Sequence, residues 1–241
     1  MNTLAIEIKK VKRTGVIPTL LIPGIIGAAY AFANFLVRKD TLLHLPLAPM
    51  DVLLTQLYGV IMILNMFGII IASCMSYNME FKENAIKKIY MLPVSVSGVY
   101  LCKFILLTIS LFIAVTLQNL ALIQIGITEL PPGTFEAGTL FQFAFYSFLT
   151  AMPVLSFMLL VSSRYKNMWV SLGIGVAGFL SGMVLSTAKS GFFLVSPFVL
   201  MLKPAVAMSA QPDLTISVLS LFETFLFLGL GLWLTHKLHY E

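Results

Sequence analysis

Charged residues are scarce in this 241-residue chain, and their scarcity decides its broad class. They make up 10% of the sequence, whereas hydrophobic residues make up 59% and the mean hydropathy is +0.97. A soluble domain carries about 25% charged residues and about 45–50% apolar ones. No polar stretch is long enough to build a separate soluble core. We therefore predict a single domain over residues 1–241 that is an all-α integral membrane protein.

Residue types that carry catalysis or bind metals are equally few. The chain has three histidines, all near predicted membrane edges, and two cysteines, which are too few and too scattered for a metal cluster. The phosphate-binding pattern G-x-x-x-x-G-K is missing, as are H-E-x-x-H and G-x-S-x-G. These absences exclude the common hydrolase and nucleotide-binding classes. We predict a chain that is not an enzyme and holds no cofactor of its own.

Long apolar runs, in contrast, are abundant. A membrane-spanning helix needs about 20 mostly apolar residues, and six runs fit, at 16–37, 51–77, 99–126, 139–163, 168–187 and 214–235. Residues 188–213 are too apolar for an ordinary loop and too rich in proline for a span. We expect a re-entrant or interfacial pair of short helices there. Gly178 and Gly182 form a G-x-x-x-G step, which lets two helix backbones approach closely.

The fifteen lysines and arginines are distributed unevenly between the two sides of the membrane. With the N-terminus in the cytoplasm, eleven of them fall on the cytoplasmic side, as the positive-inside rule requires. These eleven are Lys9, Lys10, Lys12, Arg13, Lys82, Lys87, Lys88, Lys103, Arg164, Lys166 and Lys237. We predict cytoplasmic N- and C-termini, and we attribute the net charge of +5 to topology rather than to nucleic-acid binding.

The segment before the first span is predicted to be an amphipathic helix. Met1, Leu4, Ile8 and Val11 recur every three or four residues, with basic residues opposite them. This pattern is typical of a helix that lies in the headgroup layer and attracts anionic lipid. The alternative is a plain, positively charged flank of the first span.

One polar segment, residues 78–103, separates the second and third runs. Glu83 and Lys87 are four residues apart with the acid first, an arrangement that favours a helix. Phe81 lies on the apolar stripe of that helix, and Pro93 ends it. We predict a cytoplasmic amphipathic helix from about residue 79 to residue 91 that contacts a partner. The alternative is a solvated loop helix with no partner.

The order of these parts, with the run IKKIYMLPVS at residues 86–95, resembles the permease subunits of type-2 ATP-binding cassette exporters. The parts are a basic amphipathic helix, a span, an outside loop, a second span, and an acidic helix that leads into the third span. The small size, the six spans and the lack of a fused ATPase resemble, more narrowly, the permeases of lantibiotic-immunity and bacitracin-resistance exporters.

This resemblance implies a coupling helix that docks into a cleft on a cytosolic ATPase subunit, which binds ATP and magnesium. It also implies a second permease chain, identical or homologous, and a bacterial cytoplasmic membrane whose lipids surround the spans. The implied substrate is an amphiphilic peptide or a lipid-like molecule. The positions that match the coupling segment are Glu80, Phe81, Glu83, Asn84, Lys87, Ile89, Leu92 and Pro93.

Four polar side chains within the predicted spans are candidate functional groups. Glu223 is about ten residues into the last span, where an acid is costly, and no lysine or arginine is expected within a span to pair with it. Three roles stay open for it: a group in a water-filled mouth, a buried structural group, or a proton carrier. Asn65, Gln118 and Asn119 are expected to hydrogen-bond between helices or to Glu223, with substrate lining as the alternative.

Two functions of other classes therefore remain beside the exporter permease. One is a stand-alone secondary transporter that uses Glu223 to carry protons. The other is a membrane scaffold that transports nothing.

Overall fold

The computed structural model describes residues 3–43, 46–81, 95–131, 133–187, 191–207 and 209–237. Every regular element within these ranges is helical, and six of the helices are long and apolar enough to cross a membrane. The predicted all-α chain with six spans is confirmed. In chain order the elements are α1 (Thr3–Thr14), α2 (Val16–Leu43), α3 (Pro49–Phe81), α4 (Val96–Glu129), α5 (Ala137–Ser162), α6 (Met168–Ser186), a 3₁₀ turn (Gly191–Val195), α7 (Pro197–Val206) and α8 (Leu214–Lys237).

Helix ends follow local capping chemistry where the structure describes them. Ser95 begins α4 by accepting a hydrogen bond from the backbone N–H of Gly98 at 3.2 Å, and Asn167 begins α6 by accepting one from Trp169 at 3.0 Å. Such caps satisfy N–H groups that have no partner within the helix. The second span, α3, also contains a π-helical turn at Val52–Gln56.

Several helices extend beyond the predicted apolar runs, and α2 and α3 show this most clearly. The helix α2 continues past residue 37 to Leu43, and Arg38 marks a kink where the backbone leaves helical geometry (φ −112°, ψ 15°). The helix α3 continues through Glu80 to Phe81. Residues 79–81 therefore end the second span instead of starting a separate helix. The reason is that the Glu80 carboxylate is neutralised inside the protein, so its charge does not force the chain into water.

Small residues on α2 let it pack closely against α4. A Cβ atom added to Gly24 would lie 2.9 Å from Cα of Ala114, and one added to Gly27 would lie 2.8 Å from Nε2 of Gln118. Both distances are too short for real atoms, so these two positions require glycine at the present helix separation. The close approach brings the amide of Gln118 within reach of the α2 backbone.

The G-x-x-x-G step on α6 receives the short helix α7. The ring of Phe198 would lie 2.2 Å from a Cβ added to Gly178, and Cβ of Phe198 would lie 2.8 Å from one added to Gly182. The α7 side chains from Phe198 to Leu202 are all buried. Within the described part of 188–213, a 3₁₀ turn is followed by α7, which packs among α3, α5 and α6; that this segment is re-entrant or interfacial stays a prediction.

Polar contacts between helices occur at both ends of the bundle and show which helix ends lie together. At one end, Lys39 of α2 pairs with Glu129 of α4, and the carboxylate of Asp51 accepts a hydrogen bond from the backbone of Ala210 at 2.7 Å. At the other end, α1 meets the end of α3 and the start of α4. This alternation matches the connectivity that the charge bias predicts. Which end faces the cytoplasm stays a prediction.

Candidate functional site: a buried ion cluster beside residues 82–94

Four charged side chains meet where α1, the end of α3 and the start of α4 come together. Lys103 lies at the centre, and its side chain is 0% exposed. Its ammonium donates hydrogen bonds to Glu7 at 3.0 Å, to Glu80 at 3.0 Å and to the backbone carbonyl of Ser76 at 3.1 Å. All three donors of the lysine are therefore used. Although Lys103 lies within a span, it pairs with these two acids, and no contact joins it to Glu223.

Lys10 completes the cluster from its partly exposed edge. Its ammonium lies 3.0 Å from Glu7 and 3.1 Å from Glu80. Two lysines and two glutamates give a net charge of zero. Burial by itself lowers the pKa of Lys10, but the carboxylates of Glu80 and Glu7 outweigh it and raise the pKa above its ordinary value. Lys10 is therefore charged at neutral pH.

The cluster contributes more to the relative position of the helices than to the net free energy of folding. Removing charges from water is costly, and a buried ion pair often contributes little net stability compared with an apolar replacement. Removing one partner, however, leaves the others buried and uncompensated. The cluster joined by Lys103 therefore holds α1, α3 and α4 in one relative position, and it opposes intermediate arrangements.

Aromatic rings extend the cluster towards α8. The Lys103 ammonium lies 5.6 Å from the ring centre of Tyr77, within the range of a cation–π contact. The rings of Tyr77 and Tyr100 are 6.4 Å apart. A Cβ atom added to Gly231 of α8 would lie 2.2 Å from the hydroxyl oxygen of Tyr100, so Tyr100 packs directly on the α8 backbone. The contacts from Lys103 through Tyr77 and Tyr100 therefore connect the cluster with α8.

The structure describes two of the eight predicted coupling positions. Glu80 is buried and faces Lys103 and Lys10, so it is not free to enter a cleft on a partner. Phe81 is half-buried, with its ring 6.3 Å from that of Tyr77. The other six lie in 82–94, outside the described residues: Glu83, Asn84, Lys87, Ile89, Leu92 and Pro93. The ion cluster is therefore at the base of the predicted coupling segment.

The N-terminal helix forms, but its buried face differs from the predicted one. Glu7 and Val11 are buried, whereas Ile8 is 42% exposed. Glu7 faces the inside of the bundle because it pairs with Lys103. This orientation of α1 turns part of its apolar stripe away from the bundle. Signals for this contact are present in the sequence but were not interpreted as one: an acid in a basic helix, an acid at the end of the second span, and a lysine at the start of the third.

Two of the predicted intramembrane amides pair with each other. Asn65 of α3 donates to Gln118 of α4 at 2.9 Å, and Gln118 donates back at 2.8 Å. Gln118 also donates to the carbonyl of Pro23 in α2 at 3.2 Å. The amide pair therefore joins three helices. Neither amide partners Glu223.

Glu223 and Asn119 each retain unpaired polar atoms. Glu223 is 5% exposed on α8, next to the buried hydroxyl residues Ser220 and Thr224, and neither carboxylate oxygen has a hydrogen bond among the described residues. Asn119 donates to the carbonyl of Val115 at 2.8 Å, but its Oδ1 has no partner in the described part of the chain. Unsatisfied groups at this depth point to ligands or to function more than to stability.

Comparisons with known proteins bear on these contacts. A family model described as "ABC-2 family transporter protein" matches residues 3–182, which is more than half of the chain and includes α1 to α5 and most of α6. Searches among curated proteins and among solved structures found no match.

Proposed function

The chain belongs to the ABC-2 family of transporter proteins, and from this premise we propose that it is the six-span permease half of an ATP-driven exporter that removes an amphiphilic substrate from the membrane. As a permease of this family it is a transport subunit that works with a cytosolic ATPase. The nucleotide and magnesium then bind to that partner. A second permease chain, identical or homologous, completes the transporter.

One observation carries the proposal, namely the ion cluster at the base of residues 82–94. α3 ends at Phe81 and α4 is capped by Ser95, and the Glu80–Lys103 pair holds these two helix ends together. A force on the intervening segment therefore acts on α3 and α4 at once. Through Glu7 and Lys10 it also acts on α1.

We assign two different roles within the coupling segment. Phe81, Glu83, Asn84, Lys87, Ile89, Leu92 and Pro93 are the residues proposed to contact the ATPase or to shape the turn towards it. Glu80 is instead a positioning residue, because its carboxylate is already bound by Lys103 and Lys10. Closure of the ATPase pair on ATP moves the segment, and the cluster passes that motion to the spans.

The remaining features of the proposal rest on charge and on resemblance. The excess of basic residues beside α1, residues 82–94 and residues 164–166 supports cytoplasmic termini in a bacterial cytoplasmic membrane. The resemblance to lantibiotic-immunity permeases supports a lantibiotic-like antimicrobial peptide as the substrate. Membrane lipids surround the exposed apolar faces of the spans.

Affinity capture of the tagged chain tests the partnership. Wild-type chain is expected to capture a cytosolic protein with a phosphate-binding loop, whereas Glu83→Lys places a repelling charge where the ATPase cleft expects an acid. Burying an unpaired charge costs several kcal/mol, so capture should be lost while membrane insertion is retained. Glu129→Lys, a matched reversal at the opposite end of the bundle, should capture normally. Equal capture by both variants would contradict the proposed docking site.

A second candidate function is favoured by the unpaired carboxyl of Glu223. A proton-coupled secondary transporter needs an ionisable group within the membrane, and Glu223 is one. Flux driven by a pH gradient in vesicles that contain this chain alone would support that function. A scaffold would show neither flux nor ATPase capture.

A further inference from the structure

A cavity of about 450 Å³ opens at the corner of the bundle where α6 ends and α8 begins, beside α7. Its lining is mixed in character. The charged residues of the lining are Lys203 and Asp213. Hydroxyl and apolar residues complete it, among them Ser186, Thr215, Val206 and Ile216. The cavity therefore carries one cation and one anion beside apolar walls.

The ammonium of Lys203 is held at the wall of this cavity. Its Nζ donates a hydrogen bond to the backbone carbonyl of Ser186 at 2.9 Å, and both residues line the cavity. An ammonium has three donors, and this bond uses one of them. No carboxylate pairs with Lys203 in the described part of the chain. Lys203 is partly exposed, so its charge and its remaining donors can bind an anionic ligand.

Asp213 adds the opposite charge to the same cavity. Its Oδ1 accepts a hydrogen bond from the backbone N–H of Thr215 at 2.8 Å, which holds the carboxylate at the start of α8. Asp213 is exposed, and it forms no ion pair with Lys203 although both residues line the cavity. A cation and an anion that share a cavity without pairing match a ligand that carries both charges.

The cavity lies at the depth of lipid headgroups. Ser186 is the last residue of α6 and Leu214 is the first of α8, so the two charges lie where two spans end. Leu214 is 78% exposed, and Phe192 in the 3₁₀ turn is 80% exposed. Apolar surface of this kind indicates contact with another apolar phase, which for a membrane protein is the bilayer. Phospholipids supply a phosphate at this depth.

An apolar groove continues from the cavity along α8. Thr215 lines both the cavity and the groove. The other groove residues are Leu214, Val218, Leu219 and Phe222, which form one stripe of the helix. Leu214 and Phe222 are eight residues apart, or about 12 Å along the helix axis. The groove thus leads from the end of the span into the depth of the membrane, the direction that an acyl chain takes.

From this arrangement we propose that the α6–α7–α8 corner binds one phosphatidylethanolamine molecule. Lys203 binds the phosphate, Asp213 accepts hydrogen bonds from the primary ammonium, and an acyl chain lies in the α8 groove. Phosphatidylcholine offers Asp213 no N–H donor, and phosphatidylglycerol offers it no cation. Each of these two lipids therefore satisfies only Lys203. The inference goes beyond the proposed function, because it concerns a resident lipid and not the exported substrate.

Competition between lipids tests the site on the purified, delipidated chain. Phosphatidylethanolamine, phosphatidylcholine and phosphatidylglycerol with identical oleoyl chains are added in equal amounts in a non-ionic detergent. Native mass spectrometry then identifies the lipid that stays bound. Phosphatidylethanolamine should be retained about 3- to 10-fold more than either competitor, the effect of one charge-assisted hydrogen bond at a partly exposed site. Excess glycerophosphoethanolamine, which has the same headgroup without acyl chains, should not displace it.

Two variants with matched controls assign the charges. Asp213→Asn should retain phosphatidylethanolamine and phosphatidylcholine equally, because the amide oxygen still caps Thr215 but the negative charge is gone. Lys203→Gln should weaken retention of all three lipids, since each carries a phosphate. Asp40→Asn and Lys39→Gln change charges on α2 outside the cavity and should keep the wild-type preference. Because Asp213 is exposed, Asp213→Asn decides the test even if Lys203→Gln does not fold.

Several results would overturn the inference. Equal retention of the three lipids by the wild type would indicate ordinary solvation by the bilayer. A preference for phosphatidylglycerol, or one for phosphatidylethanolamine that survives Asp213→Asn, would exclude the role of the carboxylate. Displacement by glycerophosphoethanolamine would indicate a site for soluble phosphate esters. A dimer of the chain that excludes lipid from the corner would show that a second copy covers it. These measurements involve no ATPase, so this inference and the proposed function fail separately.

Discussion

Replacement of Lys103 by methionine should strongly destabilise the chain. The methionine has a similar length but no charge, so the carboxylates of Glu7 and Glu80 lose their shared buried partner. Both are buried, and Lys10 at the edge of the cluster is the only cation left in contact with them among the described residues. Breaking a buried pair by removing one partner costs about 3–5 kcal/mol. For a chain of this size that lowers the unfolding midpoint by roughly 6–20 °C.

A triple variant should reverse most of this loss. Glu7→Met, Glu80→Met and Lys103→Met together replace the three most buried charges with flexible apolar side chains of similar length. Lys10 is left without carboxylates, but it is partly exposed and can extend into water. Since apolar replacement of a complete buried ion cluster is often neutral or stabilising, the triple variant should unfold at or above the wild-type temperature.

The two cysteines supply a built-in assay. Cys74 and Cys102 are both buried free thiols, so a thiol-reactive fluorogenic dye reacts with them only as the purified chain unfolds on heating. Lys39→Met is the matched control. It removes a lysine from the Lys39–Glu129 pair, whose side chains are 46% and 31% exposed, and pairs at the surface contribute about 0–1 kcal/mol.

Two outcomes would refute the reasoning about the cluster. If Lys103→Met unfolds at the same temperature as Lys39→Met and the wild type, Lys103 does not stabilise the buried carboxylates of Glu7 and Glu80. If the triple variant is as unstable as the single one, packing rather than charge holds α1 in place. A triple variant that is stable and captures the ATPase but exports poorly is the result that the coupling proposal expects.

The remaining predictions concern α6 and α8. Gly178→Leu should lower the free energy of unfolding by about 1–3 kcal/mol through overpacking, because the ring of Phe198 occupies the space beside Gly178. The same dye assay measures this loss. Gly173→Leu is the control, because nothing lies within 4 Å of a Cβ atom added there. Glu223→Gln should keep much of the ATP-driven export activity, because the amide preserves shape and polarity, whereas Glu223→Ala should lose more. Complete loss with Gln, together with export that depends on a pH gradient in the wild type, would instead favour a proton carrier.

The number and type of helices could be predicted because they depend on composition summed over about 20 residues at a time. No single residue decides such a run, so local exceptions such as Lys103 do not disturb it. The pairing of Glu7 with Lys103 could not be predicted in the same way, because 96 positions separate the two residues. In the sequence, Glu7 and Lys103 can each also be interpreted as one of the charged residues that commonly flank a membrane span.

The boundary of α3 shows why helix ends are harder to predict than spans. Glu80 in the sequence indicates the water phase, and an amphipathic helix starting near residue 79 is the natural interpretation. The spatial contact with Lys103 cancels that charge and lets the helix continue. The G-x-x-x-G step behaves differently: Gly178 and Gly182 predict a close approach of two helices, and in the structure the helix that approaches them is the short α7.

Burial divides the six spans into an inner set and an outer set, and the ion cluster lies on the inner set. About 56–67% of the apolar windows of α3, α4 and α5 is buried, against 22–33% for α2, α6 and α8. The segment 82–94 thus joins two helices of the inner set, and the outer set has faces free for lipid or a second permease.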